Sequence, residues 1–216
     1  MTRVKICGLT ALEDAHLAAD LGAWALGMIF YPGSERRCEV EVAEAIGLEL
    51  HRKVETTGVF VNAHLDELAE IADACSLSMV QLHGDEGPAY CAEVARRTGA
   101  KVMKAVRARD KASVRALLAY RDRVDFHLLD AYVPDQLGGT GKTFAWSLAE
   151  ERRDSHVPLV LSGGLTPDNV AEAIAAVRPF AVDSASGTES APGRKDPDRV
   201  AALIEAVEQA SARTAA

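Results

Sequence analysis

The 216-residue chain has no excess of positive charge: 24 Lys plus Arg stand against 32 Asp plus Glu, a formal net charge of −8. Nucleic-acid binders need a net basic field to displace counterions from phosphates, so the composition speaks against that class of partner. Cysteine is sparse. Cys7, Cys38, Cys75 and Cys91 show neither C-x-x-C spacing nor the density of a disulfide-stapled secreted domain, and they read as free thiols. Met1-Thr2-Arg3-Val4-Lys5-Ile6 runs straight into a strand-like segment, and no apolar run is long enough for a signal peptide or a membrane span. A reducing cytoplasm is the expected compartment. The dinucleotide fingerprint is missing too, because Cys7-Gly8-Leu9-Thr10 holds a single glycine. In Gly138-Gly139-Thr140-Gly141-Lys142-Thr143 the P-loop pattern fails at Gln136, where its first glycine would stand.

What is present is ordinary globular composition, 48% hydrophobic and 26% charged, in a strict alternation of short strands and helical patterns. Eight apolar or β-branched runs follow one another: Val4 to Cys7, Ala25 to Phe30, Thr57 to Val61, Ser78 to His83, Lys101 to Val106, Phe126 to Asp130, Leu159 to Ser162, and Phe180 to Asp183. Each precedes a helical candidate. Thr10-Ala11-Leu12-Glu13 has capping-box spacing, while Thr166-Pro167 and Asp196-Pro197 each set a capping oxygen before a first-turn proline. The sets Val170, Ala173, Ile174, Val177 and Val200, Leu203, Ile204, Val207 repeat as one buried stripe. Parallel neighbours cannot be joined by a tight hairpin, so eight such units predict a closed α/β TIM barrel, (β/α)8, filling residues 1–216 as a single domain. An open doubly wound sheet is the structural rival. The Gly/Pro/Asp stretch from Gly187 to Pro197 reads as a loop.

Barrels collect reactive groups at the carboxyl ends of their strands. Here those ends are polar: Cys7, His83, Asp130 and Asp183. A free cysteine is usually a small buried hydrophobe, and Cys75 and Cys91 keep that reading. Cys7 differs in position, with Lys5 on its side of the strand and Gly8 and a helix N-terminus after it, all of which favour a thiolate. Aspartate often caps a turn, but the apolar approach Phe126-His127-Leu128-Leu129 predicts a partly desolvated carboxyl at Asp130, suited to delivering a proton. His83 has no second histidine at ligand spacing, which favours hydrogen bonding over a metal site. Ser162-Gly163-Gly164 leaves strand seven and Ser184-Ala185-Ser186-Gly187 leaves strand eight, where barrels hold phosphates on exposed amides. Gly138 to Phe144 falls in the sixth connection and reads as a mobile lid.

Six ordered motifs now converge: Lys5 to Thr10, Phe30 to Arg36, Gly58 to Asn62, Val80 to Gly84, Gly138 to Phe144, and Leu161 to Leu165. Over nearly its whole length the chain resembles the phosphoribosylanthranilate isomerases of tryptophan biosynthesis. That resemblance implies an Amadori rearrangement of N-(5-phosphoribosyl)anthranilate to 1-(2-carboxyphenylamino)-1-deoxyribulose 5-phosphate, with no metal and no organic cofactor. It implies Cys7 as general base and Asp130 as general acid. It implies Arg36 on the anthranilate carboxylate, a planar task suited to guanidinium, with Arg37 as the neighbouring alternative. The phosphate is then expected on the amides of Gly163, Gly164, Ser186 and Gly187, with Ser162, His83 and Asp183 toward the sugar.

Two departures from the family pattern stand out. Strand eight reads Val182-Asp183-Ser184-Ala185-Ser186-Gly187 where the family commonly has Val-Asp-Val-Ser-Ser-Gly, so one hydroxyl is displaced. Ala145 precedes Trp146 where an aspartate is common. Rival readings are a histidine-pathway aminoaldose isomerase, whose first strand ends in aspartate, and a non-catalytic phosphosugar-binding barrel, which has no use for Cys7 and Asp130 together. The expected partner is a small phosphosugar, without nucleic acid or membrane, bound by a monomer or homodimer.

Overall fold

The computed structural model describes residues 1–130 and 146–215. Eight parallel strands close into a barrel in simple sequence order: β1 (Arg3–Cys7), β2 (Ala25–Ile29), β3 (Glu55–Phe60), β4 (Met79–Leu82), β5 (Lys101–Arg107), β6 (Phe126–Asp130), β7 (Leu159–Ser162) and β8 (Ala181–Ser184). The β1–β8 pairing seals the ring, with Lys5 opposite Asp183. The open-sheet rival is therefore excluded. The predicted runs match these strands to within two residues at most ends; His83 lies one residue beyond β4 rather than ending it.

The helices are α1 (Leu12–Asp20), α2 (Val40–Leu50), α3 (Leu65–Ala74), α4 (Pro88–Thr98), α5 (Lys111–Arg115), α6 (Val170–Val177) and α7 (Pro197–Ala215). After β5 the helical layer thins to α5 and a 3-10 turn, and a 3-10 segment, Leu148–Arg152, precedes β7. The cap at Asp196 forms as expected, its Oδ1 accepting from the amides of Asp198 and Arg199. The other two do not. Ala11 is the N-cap of α1 without a side-chain bond, because the Thr10 hydroxyl instead donates to Gly193 O at 2.5 Å. At Thr166 the chain makes a further turn, with Asn169 Oδ1 accepting from the Thr166 amide, before α6 begins. Both apolar stripes face inward, only Val177 staying half-buried.

Strand alternation sorts the core into two shells. Outward residues such as Ile6, Leu26, Val80, Val102 and Val182 meet the helices. Inward residues form a graded plug. At the amino ends of the strands Met79, Met103, Phe126 and Ala181 pack together, closed off by Trp24 and Phe180 edge-on to one another at 5.2 Å. Toward the carboxyl ends the inward side chains turn polar, beginning with Lys5, Gln81 and Asp183. The barrel thus has a dry floor and a charged mouth.

The stretch from Gly187 to Pro197, read as a loop, is instead a 3-10 turn (Ser186–Thr188) followed by a small antiparallel hairpin of β9 (Glu189–Ala191) and β10 (Arg194–Lys195). Its buried members, Glu189 and Lys195, are charged, which hid it from a search for apolar strands. Among the described residues no helix is long and apolar enough to cross a membrane.

A buried ion pair steadies the loops after β3 and β4. Lys104 Nζ donates to Glu86 Oε2 at 2.7 Å and to Gly84 O at 2.5 Å, while Glu86 Oε1 accepts from the Asn62 amide at 2.8 Å. Burial pushes the Glu86 carboxyl up, but Lys104 and the Asn62 amide outweigh it and hold the carboxyl below its ordinary value. A depressed folded-state value means that this stabilisation is complete above the unfolded carboxylate range and is lost as pH falls through the folded value. Glu86→Gln is expected to cost about 3 kcal/mol in urea unfolding at neutral pH, by leaving Lys104 buried beside a neutral amide. The gap between variant and wild type should narrow on acidification below roughly pH 4, and a constant gap would refute the assignment.

Candidate active site

Cys7, the last residue of β1, points into the mouth beside Lys5, as alternation requires. Gly27, its register partner on β2, makes room for the sulfur: a Cβ there would stand 2.7 Å from Cys7 Sγ and 3.0 Å from Lys5 Nζ. Lys5 Nζ donates to Asp183 Oδ1 at 2.9 Å, and Asp183 Oδ2 accepts from the Ser162 hydroxyl at 3.1 Å. Sulfur, ammonium and carboxylate thus form one buried cluster across the β8–β1–β2 seam.

The thiolate expectation needs correction. Burial pushes the Cys7 thiol up; Lys5 pulls it back most strongly and Lys195 less, with Asp183 adding to the rise, and the balance stays above the ordinary thiol value. Lys5 loses affinity for its proton through burial, but Asp183 and Cys7 more than restore it. The backbone amides expected to help the thiolate are occupied, since those of Gly8 and Leu9 both donate to Gly27 O, at 2.9 and 3.0 Å. The helix after Cys7 starts only at Leu12. Cys7 in the free protein is a neutral thiol with a cation close by.

One cavity of about 590 Å³ occupies the carboxyl face of the barrel. It is lined by Cys7, Arg36, His83, Asp130, Ser162, Gly163, Gly164, Asp183 and Ser186, nine of the ten residues singled out from sequence. Gly187 is not among the lining residues; it sits in the turn behind, too close to Leu165 O for any side chain. A larger space, about 920 Å³, opens at the other end of the barrel, between Met1, Arg152 and Phe180, and includes none of these groups.

Around the mouth the chemistry is sorted by strand. Ile29, Val59 and Val61, with Tyr31 at the rim, give an apolar wall at β2 and β3, and Arg36 stands beside it. Arg36 lines the cavity, whereas Arg37 is exposed and absent from the lining. On the opposite side Gly163 and Gly164, with φ of 101° and 64°, turn the chain sharply after β7. The displaced hydroxyl has a structural use: Ser184 Oγ donates to Leu165 O at 2.7 Å and ties the end of β8 to the loop after β7.

Asp130 ends β6, half-buried, with His83 Nε2 3.7 Å from its Oδ2. His83 Nδ1 lies 3.4 Å from Gln81 Nε2. Among the described residues no three His, Cys, Asp or Glu side chains converge to hold a metal ion. Asp183 lines the cavity with each oxygen already holding one partner, Oδ1 Lys5 and Oδ2 Ser162. The segment read as a lid, Gly138 to Phe144, lies outside the described residues.

Sequence reasoning missed three charged residues. Arg107 closes β5 beside Asp130, its register partner, and lines the cavity; its place at a strand's carboxyl end was the available signal. Glu189 and Lys195 come from the hairpin read as a loop, and no motif marked them. Lys195 Nζ donates to Cys7 O at 2.6 Å, Ala185 O at 3.1 Å and Glu189 Oε1 at 3.1 Å.

A closed barrel whose polar groups gather in one cavity at the carboxyl face has the arrangement of (β/α)8 enzymes. Comparison with known proteins narrows the class. A family model described as N-(5'phosphoribosyl)anthranilate (PRA) isomerase matches residues 4–206, and the chain belongs to that family. It is 51% identical over 204 residues to the N-(5'-phosphoribosyl)anthranilate isomerase of Citrifermentans bemidjiense, covering 94% of this chain and 96% of that one. The crystal structure of phosphoribosyl anthranilate isomerase from Thermotoga maritima superposes with a TM-score of 0.88 at 44% identity, over 97% of this chain and 100% of the other. A phosphoribosyl anthranilate isomerase in complex with reduced 1-(o-carboxyphenylamino)-1-deoxyribulose 5-phosphate gives a TM-score of 0.85 at 42% identity, with the same coverage.

Replacing Lys5 with Met removes the principal cation opposing burial at Cys7 and leaves Asp183 unpaired, and both changes disfavour the thiolate. The pH midpoint for alkylation of Cys7 by iodoacetamide should rise by at least about one unit. Peptide mass spectrometry separates Cys7 from Cys38, Cys75 and Cys91, whose thiols burial pushes up to about 12, 11 and 11. An unchanged midpoint would show that Lys5 has no hold on the sulfur.

Proposed function

We propose that this protein is a phosphoribosylanthranilate isomerase, an aldose–ketose isomerase of tryptophan biosynthesis that works by acid–base catalysis at the carboxyl face of its barrel. The observation that carries the reading is the shared cavity: a thiol on β1 and a carboxyl on β6 flank a mouth with an arginine beside an apolar wall on one side and a double-glycine turn on the other. N-(5-phosphoribosyl)anthranilate has the complementary form, an aromatic carboxylate at one end and a phosphate at the other. Its ring suits the wall of Ile29, Val59 and Val61, its carboxylate Arg36, and its phosphate the turn at Gly163 and Gly164 with Ser186.

The chemistry follows from that orientation. Asp130, as general acid, gives its proton to the furanose ring oxygen; the C1–O bond breaks, its electron pair stays on oxygen, and the nitrogen lone pair forms an iminium at C1. Cys7, as general base, takes the proton from C2, and the C–H electrons flow into the iminium to give an enolamine, which tautomerises to the ketose. A thiol held neutral by burial would be an idle base in the empty site. The iminium places a positive charge one carbon from the proton to be removed, and that charge favours the thiolate at the moment it is needed. Asp183 orients Lys5 under the sulfur, Ser162 orients Asp183, and His83 stands over Asp130. No cofactor is called for by this sequence of proton transfers.

Residues 1–216 act as one barrel domain, as a monomer or homodimer, on a small phosphosugar and not on nucleic acid or a membrane. Four free thiols suit a cytoplasmic enzyme.

Steady-state turnover of freshly generated phosphoribosylanthranilate tests the assignment. Cys7→Ser and Asp130→Asn should each lower kcat by about 10²- to 10⁴-fold with far smaller changes in KM. An unaltered kcat removes that residue from its role. Ligand binding without turnover by the wild type would leave a phosphosugar-binding barrel in place of an enzyme.

A further inference from the structure

Arg36 reaches the mouth already engaged. Its Nε donates to Glu189 Oε1 and Oε2, both at 2.9 Å, and its Nη2 stands 2.8 Å from Oε2. The pair lies directly over Gly8, whose φ of 77° and missing side chain make the passage possible: a Cβ there would meet Arg36 Cδ at 2.9 Å and Glu189 Oε1 at 3.3 Å. The Glu189 side chain is 4% exposed and that of Arg36 25%. Burial pushes the Glu189 carboxyl up, but Arg36 and Lys195 hold it below its ordinary value, so it stays an anion. Bonding to Glu189 raises the hold of Arg36 on its own proton.

A guanidinium offers a carboxylate two bidentate edges, the Nε–Nη2 side and the Nη1–Nη2 end. Glu189 occupies the first. Only the end is left for a ligand, and Arg36 lines the cavity. The same glutamate also accepts from Lys195 Nζ and from the Gly193 amide at 3.3 Å, and Lys195 in turn holds Cys7 O and Ala185 O. One buried carboxylate therefore joins the arginine to the peptide of the proposed base and to the start of the loop after β8. Two cations and one anion leave a charge of +1, which draws a ligand carboxylate to the free edge.

We propose that Glu189 is a positioning residue for substrate specificity: by filling the side edge of Arg36 it presents the arginine end-on to the substrate carboxylate and fixes that carboxylate relative to Cys7. This rests on the isomerase reading for the identity of the substrate, though its binding test does not. A merely structural glutamate, present to neutralise Lys195, would affect every ligand of the mouth alike. A positioning glutamate affects only ligands that carry the carboxylate.

The experiment compares calorimetric Kd values for two reduced product analogues, N-aryl 1-amino-1-deoxypentitol 5-phosphates with and without the ortho carboxylate. Wild type, E189Q, E189D and R36A are measured, each as the full chain. Wild type should prefer the carboxylated analogue by at least about tenfold, and R36A should lose that preference. E189Q should weaken the carboxylated analogue by about tenfold and the other by less than about twofold, with its kinetic defect falling on KM more than on kcat. E189D, which keeps the charge one methylene short, should recover part of the preference, and it carries the same test should E189Q fail to fold. Full preference retained in E189Q, or equal weakening of both analogues, overturns the proposal. So does a wild type that binds both equally. A wild type that prefers the carboxylate but turns over no phosphoribosylanthranilate overturns the isomerase reading and leaves this one standing.

Discussion

The ion pair between Lys5 and Asp183 is the contact on which the active face depends. Both charges are inside the barrel, where an ionic pair left incomplete is far more costly than one left out altogether. Because the two residues are register partners across β1 and β8, the bond can form only if the barrel closes with those strands aligned. A shift by one residue would send Lys5 and Cys7 into the helical shell and bring Val4 and Ile6 inside. The apolar contacts supply most of the stability, yet they would tolerate more than one arrangement; the buried charges tolerate one. The same two charges act on Cys7 in opposite directions, Lys5 lowering and Asp183 raising its hold on a proton, so that closing the barrel also sets the surroundings of the sulfur.

The polar interior is confined to one end. Below it, Met79, Met103 and Phe126 pack with Trp24 and Phe180 into an apolar floor. At the mouth, several buried charges are given defined neighbours. Lys5 meets Asp183, Lys195 meets Glu189, and Glu189 meets Arg36. The β9–β10 hairpin completes this arrangement. It brings a carboxylate and an ammonium under loops that contribute mainly backbone, and it links the carboxyl ends of β1, β2 and β8 without occupying the cavity itself.

Much of this was legible in the sequence, for reasons that differ by level. Strand positions were legible because a period of two, repeated eight times between helical patterns, admits few architectures. Cys7, Asp130 and the glycine turns were legible because a barrel gathers strand termini into one place. The caps at Thr10 and Thr166 were misread, since a hydroxyl can satisfy a distant carbonyl, or be passed over by a neighbouring asparagine, as readily as it caps its own helix. The thiolate was misread because the spacing of Lys5 and Cys7 reveals proximity but not burial, and burial dominates. Glu189 and Lys195 were illegible: their meaning lies in contacts with Arg36 and Cys7 across more than 150 residues of chain, as the separation of 153 between Arg36 and Glu189 shows.

The seam between first and last strands also orders events at the ribosome. Lys5 and Asp183 are 178 residues apart, and Lys195 lies 188 residues from the carbonyl it holds on Cys7. The nascent polypeptide thus carries Cys7 long before the charges that surround it, and cannot assemble them until β8 and the hairpin after it have been made. A product truncated before the β9–β10 hairpin lacks the partners of Arg36 and of the Cys7 carbonyl, however many of its strands have already paired.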